Sequence, residues 1–492
     1  MGTGLALVNA RPCGGLPGME VSPVFQHEAL RRRTALLILL AFALTLCTPG
    51  PAAAFFFGGV GIKDEKEMGR KFDTMLRASL AVVDDPEVSL YVNKVVTRLT
   101  APMPPQPYTF KATVILHNSL NAFAVPGGYV YVFTGLLMNL DSEEQLAGVL
   151  AHELAHVTQR HVASRLERAQ FLTLGSLLLA VAGIAVGGQG GGALAVGAMG
   201  AGQSAMLNYS RMDENEADHI GLQYLVAAGY PPTGMVGGFK ILRQKSWMSG
   251  TNVPAYLSTH PAIGDRINGL QARIQTMPKA VLDRKQDNRQ FLRVKTLLWG
   301  RYGDPQAALQ RFAGKDALSR MGAGMVLARQ NRVNEASAAF DQALAAAPND
   351  PLVLREAGAF HYRKGDMDLA GDLLRKALRQ DPRDYMAAFF YARMLDETGR
   401  AREAAPYYRD VLRAVPDDPE VHEAFSRSLG KTGDTANAYI HLAYSAIYAH
   451  NRKMAERYMA QARARAGKGG DARALQRLEN VYKERKELWE SN

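Results

Sequence analysis

His152-Glu153-Leu154-Ala155-His156 is a string whose residue types and spacing suit metal chemistry. Residues four apart on a helix share a face, so the two imidazoles can hold one ion side by side. Neutral imidazoles at this spacing suit Zn²⁺, one ion per chain. Glu153, next to the first ligand, is placed to take a proton from a water at the metal. Leu146, Val149, Leu150 and Val157 recur around the string at helical spacings. A polar string on a buried face needs a reason, and a metal supplies one.

A catalytic zinc takes three protein ligands and keeps one position open. Val162 stands where an H-E-x-x-H-x-x-G-x-x-H pattern would put a third histidine, which excludes that subclass. His161, five residues past His156, falls off the ligand face and reads as a supporting side chain or a surface one. The third ligand is sought among carboxylates in Ser210-Arg211-Met212-Asp213-Glu214-Asn215-Glu216-Ala217-Asp218. Glu214 and Asp218 share a helical face. Glu214 is expected to ligate, and Asp218 to accept a hydrogen bond from a ligand imidazole. The alternative for both is a solvated helix face, the reading given to Glu216 and His219. The chemistry implied is metal-assisted hydrolysis of a peptide bond, with Glu153 as general base and Arg211 as one candidate donor to the oxyanion.

Elements must position these residues. Met68, Phe72, Met75 and Leu76, then Leu90, Val92, Val95, Val96 and Leu99, predict two helices split at Asp84-Asp85-Pro86. Residues 109–117 and 129–133 read as strands joined through 118–128, with an edge that an extended substrate could pair with. Residues 142–168 are continuously helix-compatible, with Ser142 in the N-cap region. Residues 171–205 form two apolar arms around Gly187-Gly188-Gln189-Gly190-Gly191-Gly192. Each arm falls short of the ~20 residues a spanning helix needs. They read as a hairpin or lid over the cleft or against a membrane surface, or as a hairpin of the core; a true span is a third reading.

Past a connector at 283–302, four series repeat with a period of 34: Pro348, Pro382 and Pro416; Gly365, Gly399 and Gly433; Ala336, Ala370, Ala404 and Ala438; and Phe340, Leu374, Tyr408 and Leu442. This is the tetratricopeptide pattern, an all-α solenoid of stacked helix pairs. Four repeats are expected at about 316–451, with capping helices filling out 303–490. Their concave face suits protein partners.

The chain has 492 residues, 47% apolar and 21% charged, with a net charge of +11. That fits two or three globular domains. No basic block with interleaved aromatics points to nucleic acid. Arg31-Arg32-Arg33, the apolar run 34–47 and Ala52-Ala53-Ala54 read as an export signal over 1–54, cleaved after Ala54, with Met19 an alternative start. An uncleaved anchor and lipidation at Cys47 are alternatives. Cys13 and Cys47, the only cysteines, lie in the segment expected to be removed. The mature chain then has neither thiol nor disulfide.

Together, His-Glu-Leu-Ala-His, Ser-Arg-x-x-Glu-x-x-Ala-Asp with Glu214 58 residues past His156, and Asn121-Ala122-Phe123-Ala124-Val125-Pro126-Gly127-Gly128 resemble the M48 family of zinc metallopeptidases. The resemblance spans about residues 60–450. It implies a zincin-like α+β domain over 55–282, mostly helical with a small sheet. It implies His152, His156 and Glu214 as zinc ligands and Glu153 as catalytic base. It also draws attention to His260 in Ser258-Thr259-His260-Pro261. A histidine in such a segment can fill the fourth zinc position and hold the enzyme shut; it could instead stabilise the oxyanion, or simply cap a turn. With the export signal and the repeats, the resemblance implies a periplasmic endopeptidase acting on misfolded or stalled outer-membrane proteins. A chaperone or assembly scaffold with little proteolysis is the alternative, and a membrane-embedded peptidase a third. One departure is the missing disulfide, which leaves domain docking to packing alone.

Overall fold

The computed structural model describes residues 60–83, 85–168, 209–248, 255–466 and 472–490. The expected signal peptide (1–54), both cysteines and the hairpin at 171–205 lie outside the described residues. Among the described residues, no helix is long and apolar enough to cross a membrane.

The chain opens with α1 (Ile62–Ser79) and α2 (Pro86–Thr100), as the apolar spacing predicts. Asp85 caps α2 by accepting from the Glu87 N–H, and Pro86 supplies a preset first-turn φ. Val88, Tyr91, Val92, Val95, Val96 and Leu99 are the buried face of α2.

A three-stranded sheet follows: β1 (Lys111–Ile115), β2 (Ala122–Val125) and β3 (Tyr129–Phe133), in the order β1-β3-β2. β1 runs parallel and β2 antiparallel to β3, with Lys111 opposite Tyr129 and Val125 opposite Tyr129 on the other side. β2 was expected only as part of a link. Pro126-Gly127-Gly128 closes the β2–β3 hairpin, and the φ of +86° and +90° at Gly127 and Gly128 fits glycine alone without strain. The outer edge of β1 is partly covered, because Val83 donates to the Val114 carbonyl and Leu116 to that of Ala81.

After α3 (Thr134–Asn139), the helix expected over 142–168 is two helices, α4 (Glu143–Thr158) and α5 (His161–Arg168). Arg160 breaks it, with φ +56°. Its guanidinium donates to the buried Glu65 carboxylate and to the Val60 carbonyl. Ser142 sits at the N-cap of α4 without a side-chain cap bond; the Asn288 side chain accepts from the Glu143 N–H instead. Then come α6 (Arg211–Ala227), α7 (Thr233–Met248), α8 (Ala255–Thr259), α9 (Ile263–Gln275) and the short α10 (Lys279–Leu282).

α4 is the buried centre of this part. Every residue from Leu146 to Val157 along it is buried, with α2, β2, α6 and α7 packed around it. Truncating Leu150 to Ala there should cost about 2–5 kcal/mol. Gly221 of α6 faces α4 so closely that a Cβ would lie 2.9 Å from the Ala151 carbonyl oxygen and 3.1 Å from the His152 Cα.

The expected connector contains α11 (Arg289–Tyr302), which belongs to both cores. Phe291, Val294 and Leu298 pack into the first core, while Leu297 packs into the second. Past α12 (Pro305–Arg311) come four helix pairs: α13 (Ala317–Arg329) with α14 (Val333–Ala346), α15 (Pro351–Lys364) with α16 (Met367–Gln380), α17 (Tyr385–Glu397) with α18 (Ala401–Ala414), and α19 (Pro419–Lys431) with α20 (Thr435–Tyr448). α21 (Arg452–Ala466) and α22 (Ala472–Glu490) pack against α20. Ala336, Ala370, Ala404, Phe340, Leu374 and Tyr408 are buried. Ala438 of the fourth pair is buried as well, while Leu442 is half-buried, with Ile440 and Ala443 buried near it.

Docking does not rest on packing alone. Arg301 of α11 pairs with Asp85 and with Glu356 of α15, at 2.7 Å for the latter. Arg355, 2% exposed, pairs with Glu87 of α2, with Glu356 at 2.9 Å and with Asp384 at 3.3 Å. Buried guanidinium–carboxylate pairs thus fasten α2, α11 and the repeats together.

Candidate metal centre

α4 turns His152 and His156 to one side, their Nε2 atoms 3.0 Å apart and both rings wholly buried. α6 brings Glu214 to the same point. Its N-terminus is fixed by a capping box, in which Asp213 N–H donates to Ser210 Oγ and Ser210 N–H to the Asp213 carboxylate. Glu214 Oε1 lies 3.5 Å from His156 Nε2, and Oε2 3.6 Å from His152 Nε2. His260, one residue past α8, enters from a third direction. Its Nδ1 is 2.9 Å from Glu214 Oε1 and 3.3 Å from His152 Nε2, and its Nε2 is 3.6 Å from Glu153 Oε1. One ligand atom from each of His152, His156, Glu214 and His260 lies within 4.8 Å of the others.

Asp218, one turn beyond Glu214, accepts from His152 Nδ1–H at 3.0 Å. Asp218 is in turn gripped by Arg266 of α9, whose Nε and Nη2 donate at 2.8 and 2.7 Å. Arg266 Nη1 also meets Glu214, and the guanidinium lies 4.6 Å over the Phe239 ring. Arg211, in contrast, is exposed on the first turn of α6. His161 is buried, not on the surface, with its Nδ1 2.9 Å from His156 Nδ1. His219 is exposed, and Glu216 largely so. Tyr209 and Tyr256 both stack against His260, with ring centroids 5.0 and 4.4 Å away.

Electrostatics follow from burial. Desolvation pushes His152 down to about 4, helped by the Arg266 charge, and pushes His156 well below its ordinary value. Both imidazoles are therefore neutral at physiological pH, the form a metal binds. Burial raises the Asp218 carboxyl, but hydrogen bonds from Arg266 and His152 outweigh it and hold the group low. Glu214 is likewise held far below its usual range: burial opposes ionisation, while His260, His156 and Arg266 together prevail. Burial pushes Glu153 up to about 7, against the opposing pull of His260. A base poised there can both take and return a proton near neutrality.

The donor set fits a divalent cation. Two neutral imidazoles and an ionised carboxylate converge, and among the described residues the buried Glu153 Oε1 and Tyr256 hydroxyl have no hydrogen-bond partner. Such a set suits zinc.

Residues 83–274 match the family profile described as Peptidase family M48, and stretches between residues 300 and 419 match that of the tetratricopeptide repeat. The stretch matched to the M48 profile holds His152, His156, Glu214 and His260. The chain is 32% identical over 329 residues to the Beta-barrel assembly-enhancing protease of Escherichia coli (strain K12), covering 64% of this chain and 63% of that protein. It is 34% identical over 262 residues to a Putative beta-barrel assembly-enhancing protease of Vibrio cholerae, covering 51% of this chain and 52% of the relative. Mitochondrial metalloendopeptidase OMA1 of Schizosaccharomyces pombe is 32% identical over 197 residues, 40% of this chain and 55% of that protein. The chain thus spans between about half and two thirds of the length of these relatives.

Sequence reasoning missed Arg266, Tyr209 and Tyr256. Arg266 had a readable signal, since it lies among Ile263, Ile267, Leu270 and Ile274 on the apolar face of α9. A lone arginine on such a stripe needs a buried anion. Tyr209 and Tyr256 carried no comparable signal.

Proposed function

We propose that the chain is a zinc-dependent endopeptidase of the cell envelope. His152, His156 and Glu214 would hold the ion, which when bound polarises a water and the scissile carbonyl. Glu153 takes the proton of the attacking water and passes it to the leaving amine. Asp218, locked by Arg266, keeps the His152 Nε2 lone pair directed inward. The outer edge of β2, beside α4, offers main-chain groups to an extended substrate. His260 sits where a fourth ligand would, which favours a resting, self-blocked state over a helper role. The observation that carries the reading is the convergence of three ligand side chains from α4 and α6 beside a raised carboxyl.

The substrates we infer are misfolded or stalled outer-membrane proteins in the periplasm, held by the repeats. The support is the name of the bacterial relatives, beta-barrel assembly-enhancing protease, and the repeat solenoid. The test is Glu153→Gln, which should bind zinc as the wild type does and lose roughly 10²–10⁴-fold of its proteolysis. Wild-type cleavage by that variant would discard the mechanism; expressed in its own envelope, it should trap bound substrates. His260→Ala should raise activity if the residue plugs the centre and lower it if it assists. A scaffold with little proteolysis is the second reading, supported by the 2.9 Å contact of His260 Nδ1 with Glu214 Oε1.

A further inference from the structure

We infer that His161 is a positioning residue: it accepts the His156 Nδ1–H and hands the alignment on to Glu216, forming a carboxylate–imidazole–imidazole chain behind the second metal ligand. This rests on the reading of His152, His156 and Glu214 as a metal site.

The two ligand imidazoles are backed differently. His152 is aligned by a buried carboxylate, Asp218, itself fixed by Arg266. Among the described residues, the partner at His156 Nδ1 is not a carboxylate but His161 Nδ1, at 2.9 Å. Two ring nitrogens at that distance must share one proton. His156 keeps its Nε2 lone pair for the centre, so its proton is on Nδ1 and it is the donor. His161 therefore accepts at Nδ1 and carries its own proton on Nε2, which faces Glu216 Oε2 at 3.2 Å. Every proton in the chain then has an acceptor.

The fold goes out of its way to achieve this. On an unbroken helix, five residues turn the side chain about 140° away from His156. The left-handed Arg160, anchored by Glu65, ends α4 and restarts the chain as α5, whose first residue is His161. Tyr209 stacks on the His156 ring at 3.7 Å between centroids and adds a planar wall. Ring rotation is thus blocked by a stack and by a directed hydrogen bond. Partners of this kind typically change metal affinity 10–100-fold.

The test uses the full chain, stripped of metal and titrated with Zn²⁺ against a chromophoric chelator, with Co²⁺ absorption as a second readout. His161→Phe keeps a planar ring but accepts no hydrogen bond. It should weaken Zn²⁺ binding roughly 10–100-fold and alter the Co²⁺ spectrum, leaving the melting temperature of the metal-free protein unchanged. His161→Gln restores an acceptor and should recover most of the loss. Glu216→Gln should give a smaller loss, and His219→Ala, exposed on the same helix, none. Wild-type affinity in His161→Phe, or in both Glu216→Gln and an unfolded His161→Phe's substitute His161→Ala, would overturn the role. So would a metal-free melting temperature that falls as far as the metal-loaded one, which marks mere packing. A wild type that binds no zinc would instead sink the metal reading on which the inference stands.

Discussion

Among the described residues, the buried charges at the α2–α11–α15 junction and those of the candidate metal centre are built on opposite plans. At the junction of α2, α11 and α15, carboxylates meet guanidinium groups: Asp85 and Glu356 meet Arg301, and Glu87, Glu356 and Asp384 meet Arg355. In the centre, side chains turn lone pairs toward one another, with His152 Nε2 3.0 Å from His156 Nε2 and Glu214 close to both. The first cluster carries its own cations and fastens one region to another. In the second, Arg266 pairs with Asp218 and Glu214 from one side, while ligand atoms of His152, His156, Glu214 and His260 converge on one point that an ion could take.

Chelation should abolish activity, and at zinc a thousandfold above its Kd the ion adds about 4 kcal/mol of stability that chelation removes. The junction should be indifferent to chelator, as hydrogen exchange on α11 and α15 would report. Removing Arg266 as Met strands Asp218 and Glu214 without their cation. We expect a loss of about 3–5 kcal/mol by denaturant unfolding, together with weaker zinc binding; Arg266→Lys should not rescue it, because the fork to Asp218 is lost.

Arg355→Met should cost a similar few kcal/mol, about 3–5, but leave zinc affinity untouched. Adding Glu87→Gln and Glu356→Gln should recover part of the loss, since the stranded charges go with it. A zinc effect from Arg355→Met would dissolve the distinction between the clusters.

The smallest effect concerns His422 and His441 in the last repeat, whose Nδ1 atoms lie 2.8 Å apart. His422 donates from Nε2 to the Pro416 carbonyl. Burial pushes His422 down to about 4 and His441 to about 3, below the ~6.5 of an unfolded chain. Between those values the unfolded state binds more protons. Stability is therefore complete above about pH 6.5 and falls by up to about 1.4 kcal/mol per histidine per pH unit as pH drops toward 4. Melting curves across that window should show the slope, and His441→Phe should flatten it.

Much of this was legible in local spacing. The period of 34 gave the helix pairs, and four-residue spacings placed His152 with His156 and Glu214 with Asp218 on shared faces. What stayed hidden depended on distant partners. β2 is four residues long and reads as a loop beside Pro126-Gly127-Gly128; only pairing with β3 makes it a strand. Neither glycine nor proline marks the break at Arg160, because Glu65, far upstream, holds it. The role of Arg266 requires knowing that α9 packs behind α6. α11 looked like a connector because its apolar residues serve two cores at once.

Gly221 carries a last consequence. Where it crosses α4 there is main chain against main chain, with no side-chain cushion to compress or swell. The separation of the α4 and α6 backbones at this crossing is accordingly set by main-chain dimensions. A frame of that kind behaves as a gauge. A fixed helix separation of that kind would favour an ion with ligand distances near 2.0–2.2 Å over larger ones such as Ca²⁺ at 2.3–2.6 Å.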